Sequence, residues 1–133
     1  MNLEQVLTGY RERVQPAWSA ATAHPDFPAS PGDPAGQCGV TSAWLQKRLQ
    51  EDHGMQTLYC VGRVGRPSHC WLETGNLVID LTVDQFLPGQ PYAAALWQRW
   101  EAGLNYRLDY CLPLYAVASD PVAPRLKILE EAL

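Results

Sequence analysis

The chain has no C-x-x-C pair, no block of basic residues and no apolar run near the roughly 20 residues a bilayer span needs. Each absence closes a class of function. Without clustered cations there is no basis for nucleic-acid backbone binding, and the net charge is -4. Without paired Cys or His spacing, zinc-finger chemistry is disfavoured. Met1-Asn2-Leu3-Glu4-Gln5 has neither the basic n-region nor the apolar h-region of a signal peptide, so a cytoplasmic location is expected. Internal repeats and low-complexity tracts are also missing. What is present is a chain of 133 residues, 47% hydrophobic and 18% charged, the size and balance of one globular domain over residues 1–133. A chain of this size buries a core without staples.

Leu3, Val6, Leu7, Tyr10, Val14 and Trp18 recur at three- and four-residue steps, which predicts an amphipathic helix over 3–20 that Pro16 kinks or ends early. Residues 24–36 hold four prolines and two glycines, so they form a loop, a candidate wall for a cleft. A second helix is predicted from Cys38 or Gly39 to Asp52. Val40, Ala43, Trp44 and Leu49 make its apolar stripe, and Gln46, Lys47, Arg48 and Gln50 its solvated one. Gly54 is placed to stop it. Thr57–Val64 reads as a strand, and Ser68–Glu73 with Leu77–Thr82 as a hairpin. Pro88-Gly89-Gln90-Pro91 marks a turn. Tyr92–Glu101 reads as a short helix with Leu96, Trp97 and Trp100 on its apolar side, Tyr110–Val117 as a last strand, and Arg125–Leu133 as a terminal helix.

Four cysteines stand at 38, 60, 70 and 111. Cys60, Cys70 and Cys111 have apolar or aromatic neighbours and read as buried small hydrophobes. Cys38 differs, because Gly36-Gln37-Cys38-Gly39-Val40-Thr41 surrounds it with glycines and polar groups. A thiol in the first turn of a helix feels the positive end of the dipole and the free N–H groups, which favours thiolate. If Thr74-Gly75 is the hairpin loop, Glu73 faces Asn76 and His69 lies directly opposite Asp80, on the face away from Cys70, Leu72, Leu77 and Ile79. A one-residue slip would send Asp80 to the wrong face. Cys38, His69 and Asp80 are thus candidates for nucleophile, general base and orienting carboxylate. The Cys38 backbone N–H, with Gln37, is the candidate oxyanion donor. Trp71 is a candidate cleft residue, although Trp71 and Trp44 read first as core. Asp84 is the alternative carboxylate, and His24 and His53 are expected to be exposed and uninvolved. Cys38, His69, Cys70 and Asp80 are all ligand types, but His69 and Cys70 point to opposite faces of a strand. Neither a metal nor a cofactor is expected.

The order Cys38, His69, Asp80, with His69-x-Trp71-x-Glu73 and Asp80-x-Thr82, resembles the core of the transglutaminase-like branch of the papain-like superfamily, over residues 36–86. That resemblance implies an α+β fold in which a cysteine-bearing helix packs on a small antiparallel sheet. It also implies acyl-transfer chemistry on a peptide or protein amide: hydrolysis, deamidation or cross-linking. The chain departs from that pattern in one respect, for Gln37 is adjacent to the cysteine instead of several residues before it. It also has no calcium-type carboxylate cluster. Gly36-Gln37-Cys38-x-Val40-Thr41 and Ile79-Asp80-Leu81-Thr82-x-x-Gln85-Phe86 are similar to segments of the small bacterial YunG-like proteins, a group that brings no substrate with it. The competing expectation is a catalytically silent scaffold that serves as a binding module.

Overall fold

A computed structural model describes residues 2–27, 29–86, 95–98, 106–113 and 122–133, with 95–98 described in backbone only. The fold is α+β. Helix α1 spans Leu3–Val14 and runs into a 3-10 turn at Gln15–Ala17, so Pro16 ends the helix as its missing N–H requires. Asn2 caps α1 by accepting the Gln5 N–H at 3.2 Å. Helix α2 spans Cys38–His53 and stops at Gly54, whose φ of 63° is the left-handed conformation of a helix end.

Among the described residues five antiparallel strands follow: β1 Leu58–Val64, β2 Ser68–Thr74, β3 Leu77–Asp80, β4 Ala95–Gln98 and β5 Tyr106–Leu112. Their spatial order is β4-β3-β2-β1-β5. A 3-10 turn at Val83–Phe86 leaves β3, and helix α3 spans Val122–Glu131. Segment 95–98 is therefore a strand and not part of the expected helix. It pairs residue by residue with β3, from Leu77↔Gln98 to Asp80↔Ala95. The rest of that expected helix and the turn at 88–91 lie outside the described residues. The last strand begins earlier than expected, at Tyr106, and residues 114–117 of the expected one lie outside the described residues.

Alternation divides β2 between two cores. Cys70 and Leu72 join Tyr59, Ile79 and Leu81 beneath α2, where Val40, Ala43, Trp44, Leu45 and Leu49 meet Leu7, Val14 and Trp18 from the N-terminal segment and Leu126 and Leu129 of α3. Trp71 goes to the other side with Cys60 and Val78, covered by Tyr106 and Cys111. The polar stripe expected on α2 is interrupted by Gln46. It is buried because its amide donates to the carbonyls of Thr57 at 3.0 Å and Pro113 at 3.2 Å, which ties α2 to the start of β1 and the end of β5.

The hairpin register corrects the expected one. The observed pairs are Leu72↔Ile79, Glu73↔Val78 and Thr74↔Leu77, so the two-residue loop is Gly75-Asn76 and not Thr74-Gly75. Gly75 supplies the positive φ, 56°, that such a loop needs. The pairing moves by two positions, an even number, so every side chain keeps its face. Asp80 thereby stands diagonal to His69 instead of opposite it, still within side-chain reach.

Across from His69 on β1 is Gly62, at a bulge in the β1–β5 pairing. A Cβ there would collide with the Arg107 carbonyl and come within 2.7 Å of the Trp71 ring. Gly62→Ala is expected to destabilise the protein by roughly 1–3 kcal/mol, the cost of overpacking a close approach. Urea unfolding measures this, and a wild-type midpoint would show that β5 can move away freely.

Candidate functional site

Cys38 is the first residue of α2, so its backbone N–H has no partner within the helix. It is partly buried, and its thiol interacts with both Cys70 and His69. His69 is the second residue of β2 and is almost wholly buried. Three aromatic rings surround its imidazole. Trp71 stacks on it at 6.0 Å, Phe86 meets it edge-on at 4.8 Å, and Tyr106 is tilted against it at 6.1 Å.

Asp80 ends β3 with 1% of its surface exposed. Its Oδ2 lies 2.5 Å from His69 Nε2 and accepts the Tyr106 hydroxyl at 2.7 Å. Its Oδ1 accepts the Thr82 N–H at 2.9 Å and the Thr82 hydroxyl at 3.2 Å. A carboxylate has only acceptors, so His69 Nε2 must carry the proton of their shared bond. That leaves Nδ1 as the nitrogen available to a thiol. The Gln85 amide nitrogen lies 3.3 Å from Nδ1 and donates to the Thr82 carbonyl at 3.1 Å.

The electrostatics follow from these contacts. Burial by itself would raise the Asp80 pKa, but the His69 charge and the hydrogen bonds from His69, Tyr106 and Thr82 hold it below the usual carboxylate value. Burial by itself would lower the His69 pKa. Asp80 and Cys38 outweigh it and push His69 up to about 10. Gln85, fixed as a donor by Thr82, favours the neutral ring and opposes them. Burial and the adjacent Asp80 charge push the Tyr106 phenol up.

Cys38 departs from expectation. Its pKa is raised well above that of an ordinary thiol, first by the hydrogen bond to Cys70 and then by burial, which together exceed the lowering by His69. The helix start alone does not make it a thiolate. At neutral pH the site holds a neutral thiol beside an imidazolium–carboxylate pair.

The structure brings Cys38, His69 and Asp80 together, and it assigns other work to the accessory candidates. Gln37 is fully buried. Its Oε1 accepts the Thr22 hydroxyl at 2.8 Å and its amide donates to the Ser19 carbonyl at 3.0 Å, so its side chain anchors the preceding loop and does not face an oxyanion. Trp71 is also fully buried and donates its indole N–H to Glu73 at 2.7 Å, so it is a floor beneath His69 and not a cleft wall. Asp84 is taken by Arg11, whose guanidinium meets both carboxylate oxygens at 2.8 and 2.7 Å and also donates to the Leu81 carbonyl at 2.6 Å. Loop 24–36 is closed on itself by the His24 N–H to the Gly36 carbonyl at 2.9 Å and tied to the segment before it by the Gly32 N–H to the Trp18 carbonyl at 3.2 Å.

Tyr106, Gln85, Phe86 and the thiol of Cys70 were not recognised as part of the site from sequence. For Gln85 and Phe86 the signal was their fixed spacing after Asp80. Tyr106 offered none, because β5 is distant in sequence.

An α+β chain with a buried Cys–His–Asp constellation at the junction of a helix start and two strands is thus in hand. It belongs to the YunG family: the family model described as YunG protein matches residues 6–112, a span that includes every residue of the constellation. No curated protein and no solved structure matches the chain. Among the described residues, no helix is long and apolar enough to cross a membrane.

The buried pair has a pH signature. His69 has a folded pKa above its unfolded value of about 6.5, so its contribution is full below that value and disappears as pH rises through about 10. Asp80, lowered on folding, contributes above about 3.9 and loses its contribution as pH falls through its folded value. The stability advantage of wild type over Asp80→Asn, measured by urea unfolding, should therefore be greatest at neutral pH and decline towards both extremes. An advantage that persists undiminished above pH ~10 would contradict a charged His69.

Proposed function

We propose that this protein is a cysteine-dependent acyl-transfer or amide-hydrolysing enzyme with a papain-like, transglutaminase-like core. Cys38 is its nucleophile, His69 its general base and acid, and Asp80 the group that orients the imidazole. The carrying observation is the 2.5 Å contact of His69 Nε2 with a buried, four-times hydrogen-bonded carboxylate, which leaves Nδ1 for the thiol that His69 also engages. Such a chain of contacts fixes the orientation of the ring and stabilises the imidazolium that stands beside the thiolate once the thiol has lost its proton.

In the reaction, the resting thiol–imidazolium pair first gives one proton to solvent; Cys38 Sγ then bonds to the carbonyl carbon while the remaining proton stays on His69 Nδ1. The Cys38 N–H is the donor nearest the developing oxyanion. The Nδ1 proton passes to the leaving amine as the C–N bond breaks, and water or a second amine resolves the thioester. The competent form, thiolate with imidazolium, has one proton fewer than the resting pair. Activity is accordingly expected to rise from neutral to alkaline pH.

A second reading is supported by the same raised thiol pKa and by the near-complete burial of His69: a scaffold that keeps the constellation for structure and acts as a binding module. Iodoacetamide labelling of Cys38 separates the two. For an enzyme, labelling accelerates with pH, slows in His69→Ala and speeds up several-fold at neutral pH in Cys70→Ala, because the largest cause of the raised pKa is removed. Equal, slow labelling in all three proteins supports the silent scaffold. A panel of peptide, glutamine-amide and thioester substrates, with Cys38→Ala as the control, then identifies the carbonyl attacked.

A further inference from the structure

Beyond the Cys38 site, the outer face of the sheet gathers a second group of reactive side chains. Cys60 on β1 stands directly across from Cys111 on β5, and Glu73 on β2 is diagonal to Cys60, since Glu73 pairs with its neighbour-but-one Leu58. One donor atom from each of the three lies within 4.8 Å of the other two. We propose that Cys60, Glu73 and Cys111 bind a divalent zinc-type ion, with the fourth position open to water or an external ligand.

The donor set determines the class of ion. Two sulfurs and one carboxylate suit a borderline-soft cation, whereas magnesium and calcium require oxygen cages. Bond lengths of about 2.3 Å to sulfur and about 2.0–2.2 Å to oxygen place tetrahedral donors roughly 3.5 Å apart. Closing from the observed separation takes about 1 Å of side-chain movement, within reach of small torsional changes. Binding displaces two thiol protons to solvent, giving two thiolates and a carboxylate around the ion. The surroundings fit as well. The Trp71 indole N–H holds one Glu73 oxygen at 2.7 Å and so orients the carboxylate, the outer support that ligands of such ions commonly have. Cys60 is fully buried, and the partly exposed Cys111 gives the ion its approach from water.

This set is separate from Cys38, His69, Cys70 and Asp80, and its three residues lie far apart in sequence, so no spacing motif announces it. It has a mechanical consequence. The ion would clamp β5 to β1 and β2, and β5 begins at Tyr106, the donor to Asp80. The inference does not depend on the acyl-transfer reading.

Titration of the reduced full-length protein with Co2+ tests it. The expected result is saturable binding of one ion per chain with a thiolate-to-cobalt charge-transfer band, displaced by Zn2+, and a Zn2+-dependent rise in melting temperature. The band should be lost in Cys60→Ser and in Cys111→Ser and retained in Cys38→Ser and Cys70→Ser. Cys111 is partly exposed, so its variant decides the matter if Cys60→Ser does not fold. Glu73→Gln should keep the thiolate band and weaken the binding. Absence of a thiolate band, a band that survives in Cys111→Ser, or one lost only with Cys38 or Cys70 would overturn the proposal.

Discussion

A carboxylate buried to 1% exposure is costly unless every lone pair that faces the protein is answered, and around Asp80 four donors answer. The four come from three parts of the fold. His69 comes from the neighbouring strand, Tyr106 from the far edge strand, and the two Thr82 donors from the chain as it leaves β3. Because the Thr82 N–H must reach back to Oδ1, β3 ends where it does. The Tyr106 hydroxyl reaches Oδ2 from β5, which joins the same sheet beside β1. The carboxylate organises the sheet around itself, and the imidazole is the one partner with a second reactive nitrogen to offer.

The turn after β3 is held from the opposite side of the molecule. Arg11, buried on α1, grips both oxygens of Asp84 and the Leu81 carbonyl. A planar guanidinium engaging a carboxylate through two parallel bonds fixes orientation as well as distance. The residues it thereby fixes are Gln85, at His69 Nδ1, and Phe86, edge-on to the imidazole ring. The N-terminal helix, which reads as scaffold, therefore positions two groups in contact with His69. Gln37 does the same for Cys38 from the other direction. Its side chain holds residues 19 and 22 while its backbone begins α2.

What could be read from the sequence had local causes. Apolar spacing located α1 and α2, Pro16 and Gly54 set their ends, and period-two alternation put His69 and Asp80 on one face. The hairpin loop was misplaced by one residue at each end, and the error cancelled because side-chain direction depends only on whether the slip is odd or even. Non-local partners were not legible. Arg11 on α1 and Gln46 on α2 look like solvated helix residues until Asp84, the Leu81 carbonyl and the Thr57 carbonyl are known to face them. Segment 95–98 pairs with β3, and that pairing outweighs its helical spacing. Tyr106 reaches Asp80 only because β5 joins the sheet beside β1, a choice of topology that no local pattern encodes.

The thiol pKa shows how a single neighbour can reverse a local rule. A helix start lowers a cysteine pKa by offering partial positive charge to the thiolate, and this term exists at Cys38. It acts alongside a stronger one, because the hydrogen bond with Cys70 and burial both favour the protonated Cys38 thiol. The imidazolium beside it pulls in the opposite direction, held charged by Asp80. The outcome is a site whose cation and carboxylate are settled and whose Cys38 thiol keeps its proton. Under the acyl-transfer reading, a ligand that displaces Cys70 from Cys38 removes that restraint while leaving the His69–Asp80 pair intact. On that reading, Cys70 is therefore the group that sets when Cys38 reacts, and Asp80 the group that keeps an imidazolium beside the thiolate, ready to protonate the leaving amine.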